Sequence, residues 1–193
     1  MKLIRNFGLA LLTACSLSYC TSADKTAEEK DSISQDSTLE STQEMVEDSA
    51  KALGDDPKLV YELVESMYGG IAVMKDGEMK ASSPAVKALA KKLTSEHTKL
   101  TEELQMLATK KGWTLPVGES TDDKEKRNDL NKKTGSDYDK EWLSALEDRH
   151  KTNIGKLEDA KPADADLKMA GEKGLPKIKA LLADIESVKS SLK

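Results

Sequence analysis

Along SSPAVKALAKKLTSEHTKLTEELQMLATKKG, residues 82–112, apolar side chains return at intervals of three and four: Val86, Leu89, Leu93, Leu100, Leu104 and Leu107, with His97 holding the one polar place in the stripe. Residues so spaced share one face of an α-helix, whose period strands cannot match. Ser83 is placed as N-cap with Pro84 behind it at N1, and Lys110, Lys111 and Gly112 supply a C-terminal signature. A helix this long with one apolar face cannot bury that face alone. It obliges the rest of the chain to provide partners.

The remaining segments have the same character. A first helix is predicted from about Pro57, at N1 after Asp56, to about Ala81, with Val60, Leu63, Met67, Ile71 and Met74 on one face; MKDGEMKASSP leaves its end open between Gly77 and Ala81. Adjacent Gly69 and Gly70 cost roughly 1 kcal/mol each relative to alanine, so they mark a close helix crossing or a kink. WTLPVGESTDD reads as a connection with Pro116 and Gly118 as breakers, followed by a polar helix over residues 122–133 that ends at Gly135. Ser136 then caps a helix whose inward face is Leu143, Leu146, His150, Ile154 and Leu157, with Tyr138 and Trp142 alongside. After KPAD the pattern resumes at Leu167, Met169 and Ala170 and falters at Gly174 and Pro176. It finishes with Leu175, Ile178, Leu181, Ile185, Val188 and Leu192. Scarce aromatics, abundant Leu, Ala, Lys and Glu, and no strand-like run agree. The expectation is an all-α antiparallel four-helix bundle over residues 55–193, with an extra short helix in the long connection.

The N-terminus carries an address. Lys2 and Arg5 form a basic n-region, and FGLALLTACSLSYC is an apolar run too short to span a bilayer, as in export signals. LTAC, ending at Cys15, matches the Leu-x-small-Cys form of a bacterial lipobox, in which the thiol is lipidated. LSYC, ending at Cys20, is the alternative, with bulky Tyr19 before the cysteine, and a plain cleaved signal is the remaining one. Residues 1–20 are thus read as a lipoprotein-type signal peptide, which implies a membrane partner through an N-terminal lipid and a location in the bacterial cell envelope, facing the periplasm or anchored to the outer membrane. No cysteine follows residue 20, which excludes a disulfide or thiolate metal site from the exported part.

Residues 21–54 are acidic, net −6, with no aromatics, and read as a flexible linker, with a short helix conceivable over residues 39–52. Residues 55–193 then carry only −1, which argues against nucleic acid as a partner, because a phosphate-binding surface needs a basic excess.

Both histidines of the chain, His97 and His150, fall on apolar stripes. A di-iron bundle draws one Glu from each of two helices and Glu-x-x-His from each of the other two. EDRH, residues 147–150, is one such tetrapeptide; beside His97 stands only Glu96, with Thr94 three residues earlier. The first and last helices present Met67, Ile71, Met74 and Ile178, Leu181, Ile185 inward. Glu96, His97, Glu147 and His150 are therefore the candidate ligands of a reduced Fe or Zn site. The plainer reading makes both imidazoles neutral core groups hydrogen-bonded to a carboxylate or carbonyl, with no cofactor, and a third makes them pH sensors. No Gly-x-Ser-x-Gly elbow or phosphate loop occurs, and Asp137, Asp139 and Glu141 read as carboxylates offsetting a helix dipole.

YGGIAVMKDGEM, VKALAKKLTSEHTKLTEELQMLATKKGWTLP, GSDYDKEWLSALEDRH and LPKIKALL occur in an order that resembles a domain-of-unknown-function family of bacterial envelope proteins described as "predicted outer membrane protein" and placed with the ferritin-like superfamily. The resemblance spans about residues 58–190. It implies a ferritin-like fold, and it matches Glu96, His97 and His150 to an acidic residue and two histidines common in that family. Where the family has acidic residues after the Gly-Gly turn and a histidine in the last helix, this chain has Val73, Lys75 and Leu181.

No catalytic residues are assigned. The expected function is that of an exported, lipid-anchored helical bundle with a binding, structural or stress-related role, not an enzyme. The alternatives are a ferritin-like metal-binding protein for Fe or Zn storage or redox, and a periplasmic carrier whose small ligand sits in a cavity between helices.

Overall fold

The computed structural model describes residues 53–192. The signal peptide, Cys15, Cys20 and the linker up to residue 52 lie outside the described residues. The rest is all-helical: α1 (Asp55–Lys80), α2 (Pro84–Lys111), α3 (Thr121–Asn131), α4 (Gly135–Asp159) and α5 (Ala165–Ser191), with no strand among the described residues. None of these helices is long and apolar enough to cross a membrane.

The four long helices pack side by side in the cyclic order α1, α2, α5, α4, each against its two neighbours. Neighbours run antiparallel. Val60 and Val64 of α1 meet Ala108 near the end of α2, and Lys156 near the end of α4 pairs with Glu62 near the start of α1. It follows that α2 and α4, both antiparallel to α1, point the same way, and residues 112–134 carry the chain from one end to the other with α3 on the way.

The stripe of α2 is buried as its spacing requires, from Val86 through Leu89, Leu93 and His97 to Leu100, with Leu104 and Leu107 packed at the rim. Gly112 closes the helix at φ 67, a left-handed cap that favours glycine. Several boundaries differ from expectation. In α1 Gly54 is the N-cap and Pro57 the third helical residue rather than the first, which the first turn tolerates because its N–H groups have no intrahelical acceptor. The helix passes through Gly69, Gly70 and Gly77 without ending. These glycines admit neighbours: a Cβ on Gly69 would lie 2.3 Å from the Asp123 carboxylate of α3, and one on Gly77 2.5 Å from the Trp142 indole of α4. Thr134, not Ser136, is the N-cap position of α4, because Gly135 at φ 60 turns the chain into the helix earlier. Pro176 lies inside α5, and burial of Leu167 before it and Ile178, Leu181 and Ile185 after it carries the helix through. Met169, on the expected stripe, is 50% exposed.

Two turns are each fastened by an aspartate from another helix start. Asp139, in the first turns of α4, accepts from Ser82 N (2.9 Å), Ser82 Oγ (2.6 Å) and Ser83 N (2.7 Å), fixing the α1–α2 turn. Asp56, at the start of α1, accepts from Ala163 N and Asp164 N, fixing the α4–α5 turn. Each carboxylate satisfies backbone donors that a helix start leaves open. α3 is held from both sides: Arg127 reaches Glu119 and Asp76, and Arg149 grips Asp123 at 2.5 and 3.2 Å while donating to Ser66 O. Leu130 plugs α3 into the main core beside Tyr138, Trp142 and Leu143.

Candidate functional site

The register of α2 and α4 brings the only two histidines together. His97 Nε2 lies 2.9 Å from His150 Nε2, with the rings edge-to-face at 80° and centroids 4.8 Å apart. His150 Nδ1 is 2.7 Å from Leu146 O, which can only accept, so Nδ1 of His150 carries a proton and donates. In the neutral ring its Nε2 is then the acceptor, and His97 Nε2–H is the donor. The chain His97 to His150 to Leu146 O is hydrogen-bonded without any ion.

Burial lowers the pKa of His97 to about 3, with further contributions from His150 and Arg149. Burial also lowers that of His150, opposed by its hydrogen bond to Leu146 O. A buried imidazolium has no carboxylate here to compensate it, so both rings are neutral at neutral pH.

The two candidate carboxylates lie elsewhere. Glu96, one position and so about 100° round the helix from His97, is paired with Lys99 at 2.6 Å on the surface. Glu147 is paired with Lys151 on its own helix and with Lys189 of α5 at 2.7 Å, and these hydrogen bonds hold its carboxyl well below the usual range, at about 2. Val73 and Leu181, at the places where the resemblance would put ligands, are buried apolar side chains. Among the described residues no three His, Cys, Asp or Glu side chains gather closely enough to hold a metal ion. Two imidazoles whose Nε2 atoms bond to each other do not fit the carboxylate-rich set that a di-iron bundle uses.

Two hollows indent the helical domain, and neither is lined by His97 or His150. One, of about 630 Å³, lies between α1, α3 and α4, with Arg127, Arg149 and Asp123 on its walls all engaged in ion pairs. Ser66 and Asn153, also on its walls, hydrogen-bond each other at 3.1 and 3.2 Å. The other, of about 400 Å³, opens between the first turns of α1, the middle of α2 and the α4–α5 turn. Its walls are apolar, among them Leu59, Leu63, Met67, Leu100, Leu175 and Ile178.

A family model described as Domain of unknown function (DUF4142) matches residues 41–188. The chain belongs to the DUF4142 family. The match covers every described helix almost to the end of α5 and begins beyond both cysteines. Comparisons with curated proteins and with solved structures each gave no match.

Within this DUF4142 domain the sequence reading placed both histidines on the inward faces, and they are 5% and 1% exposed. It did not foresee that they would touch. It read Asp139, four before Leu143, only as a carboxylate offsetting a helix dipole and not as the acceptor for the α1–α2 turn, and it missed two polar residues at interior registers, Asn153, three after His150, and Ser66, three after Leu63. Such spacing was the available signal for Asp139 and Asn153, both buried.

Proposed function

We propose that this DUF4142 protein is a four-helix bundle of ferritin-like topology, held at a bacterial envelope membrane by a lipid on Cys15, with Cys20 as the alternative, and that its role there is non-catalytic: binding, structural or stress-related. The topology is supported by α2 and α4 pointing the same way across one long connection, the crossover that ferritin-like bundles use. A near-neutral domain supports a partner other than nucleic acid.

One observation carries the non-catalytic reading, the contact between His97 and His150. The interior polar groups that a metalloenzyme would spend on ligands are consumed by each other and by Leu146 O. The test is metal analysis of purified parent, His97→Ala and His150→Ala proteins. The expected result is Fe and Zn far below one per chain in all three; near-stoichiometric metal in the parent, lost in both variants, would instead establish the residual Fe or Zn site. Mass spectrometry of the mature N-terminus tests the anchor: a diacylglyceryl-modified Cys15 is expected, and an unmodified residue at the processed end overturns it.

A second reading, a carrier of a small ligand, is favoured by the apolar cavity of about 400 Å³, which falls within the range of roughly 300–1,000 Å³ typical of small-molecule sites.

A further inference from the structure

Resting on the carrier reading, we propose that this cavity binds a single-chain amphiphile with an anionic head, of the long-chain carboxylate class, its tail between α1, α2 and α5 and its head at Lys161 and Lys168. The walls are aliphatic, and α5 contributes Ala170, Gly171 and Gly174, residues with little or no side chain. A Cβ built on Gly171 or Gly174 meets nothing within 4 Å, unlike Gly69 and Gly77, where one would collide. α5 therefore leaves its side of the cavity open, in a helix where glycine otherwise weakens the element.

The charged groups lining the hollow are Lys161, Lys168, Glu103 and Glu172, all exposed, and hence at its mouth. Glu103 is paired with Lys177 at 3.6 Å. Nearby lysines are similarly engaged: Lys110 with Asp166, Lys111 with Asp164, Lys156 with Glu62 and Lys179 with Glu158. Among the described residues Lys161 and Lys168 have no such partner, and Glu172 is the one unpaired carboxylate of the four groups. The mouth thus offers two uncommitted cations against one uncommitted anion, over a floor that takes methylenes. A carboxylate head on an alkyl tail satisfies both; a ligand lacking either the tail or the negative head satisfies only one.

The experiment is displacement of a dansyl-labelled fatty acid from the full-length mature protein by dodecanoate, octanoate, dodecanol and dodecyltrimethylammonium, each below its micelle-forming concentration. Each buried methylene strengthens binding roughly fourfold, so octanoate falls at least about tenfold below dodecanoate. The ammonium analogue is expected to be weaker still. Gly171→Phe combined with Gly174→Phe should weaken dodecanoate by about tenfold or more. Lys161→Glu combined with Lys168→Glu, both exposed and safe for folding, should weaken dodecanoate by about tenfold while leaving dodecanol within about twofold. If carboxylate, alcohol and ammonium bind alike and the lysine variants change nothing, the anionic class is wrong while the carrier reading stands. If no member of the series binds, the carrier reading falls with it.

Discussion

Gly77→Ala adds one methyl group in the last turn of α1, and by helix propensity alone it would stabilise the protein by at most about 1 kcal/mol. The structure reverses the sign. The new Cβ would stand 2.5 Å from both Cε2 and Nε1 of Trp142 and 2.7 Å from Cζ2. The indole is fully buried, and its Nε1–H donates to Val73 O at 2.8 Å, so it cannot slide aside without straining that bond and disturbing the core around Leu143 and Leu146. Overpacking of this kind costs about 1–3 kcal/mol, and loss of the hydrogen bond adds about 1 kcal/mol. Set against the propensity gain, a net loss of about 1–3 kcal/mol remains, or a fall in Tm of roughly 3–10 °C. Gly171→Ala is the internal control, because nothing lies within 4 Å of its Cβ and only the propensity gain applies. Urea denaturation followed by tryptophan fluorescence gives both values on one scale. Equal or greater stability of Gly77→Ala, or a loss in both variants, would refute the close-approach argument.

Asp139→Ala removes an acceptor from two backbone N–H groups and the Ser82 hydroxyl, and should cost about 2–4 kcal/mol in urea denaturation, with Asp139→Asn in between. The histidine pair predicts a pH dependence. Its folded pKa values lie below the unfolded value near 6.5, so below that pH the unfolded chain binds more protons and stability is lost as pH falls, for His97 down to about 3. Between pH 6 and 5, above the unfolded carboxyl value of 4.5 near which Glu147 begins to contribute, His97 alone should supply a slope approaching about 1.4 kcal/mol per pH unit, reduced in His97→Gln and checked by urea melts at successive pH values. Arg149→Met leaves Asp123 without its ion-pair partner, and α3 should then show the largest rise in amide hydrogen exchange of any helix.

How much of this was legible in the sequence depends on whether a feature is local. The stripe of α2 is local, and Val86, Leu89, Leu93, His97 and Leu100 are buried as their spacing dictates. Met169 misled because polar Lys168 and apolar Met169 alternate at a helix start where azimuth, not hydrophobicity, decides exposure. Pro176 costs about 3 kcal/mol in a helix interior, yet burying Ile178, Leu181 and Ile185 returns more, and propensity has no knowledge of that tertiary gain. At the candidate site, the azimuths of His97 and His150 were readable, but their contact depends on the relative height of two helices that are not consecutive. The fate of Glu147 was half legible: Lys151 stands four residues further along α4, whereas the second partner, Lys189 of α5, is one that no spacing within α4 can reveal. Asp139 lay at an interior register, and only the position of the α1–α2 turn shows what it binds there.

The chain order has a kinetic consequence. α1 with α2, and α4 with α5, are antiparallel neighbours joined by brief turns, so each couple can zip from its own bend before the other exists. Doubling the length of a loop costs only about 0.6 kcal/mol in closure entropy, so the slow event is not spanning residues 112–134 but mating two preformed hairpins along a seam. The imidazole contact and the Ser66–Asn153 bond both lie across that seam. Substitutions there should retard folding as well as accelerate unfolding, with α3 acting as the latch whose release lets the halves part.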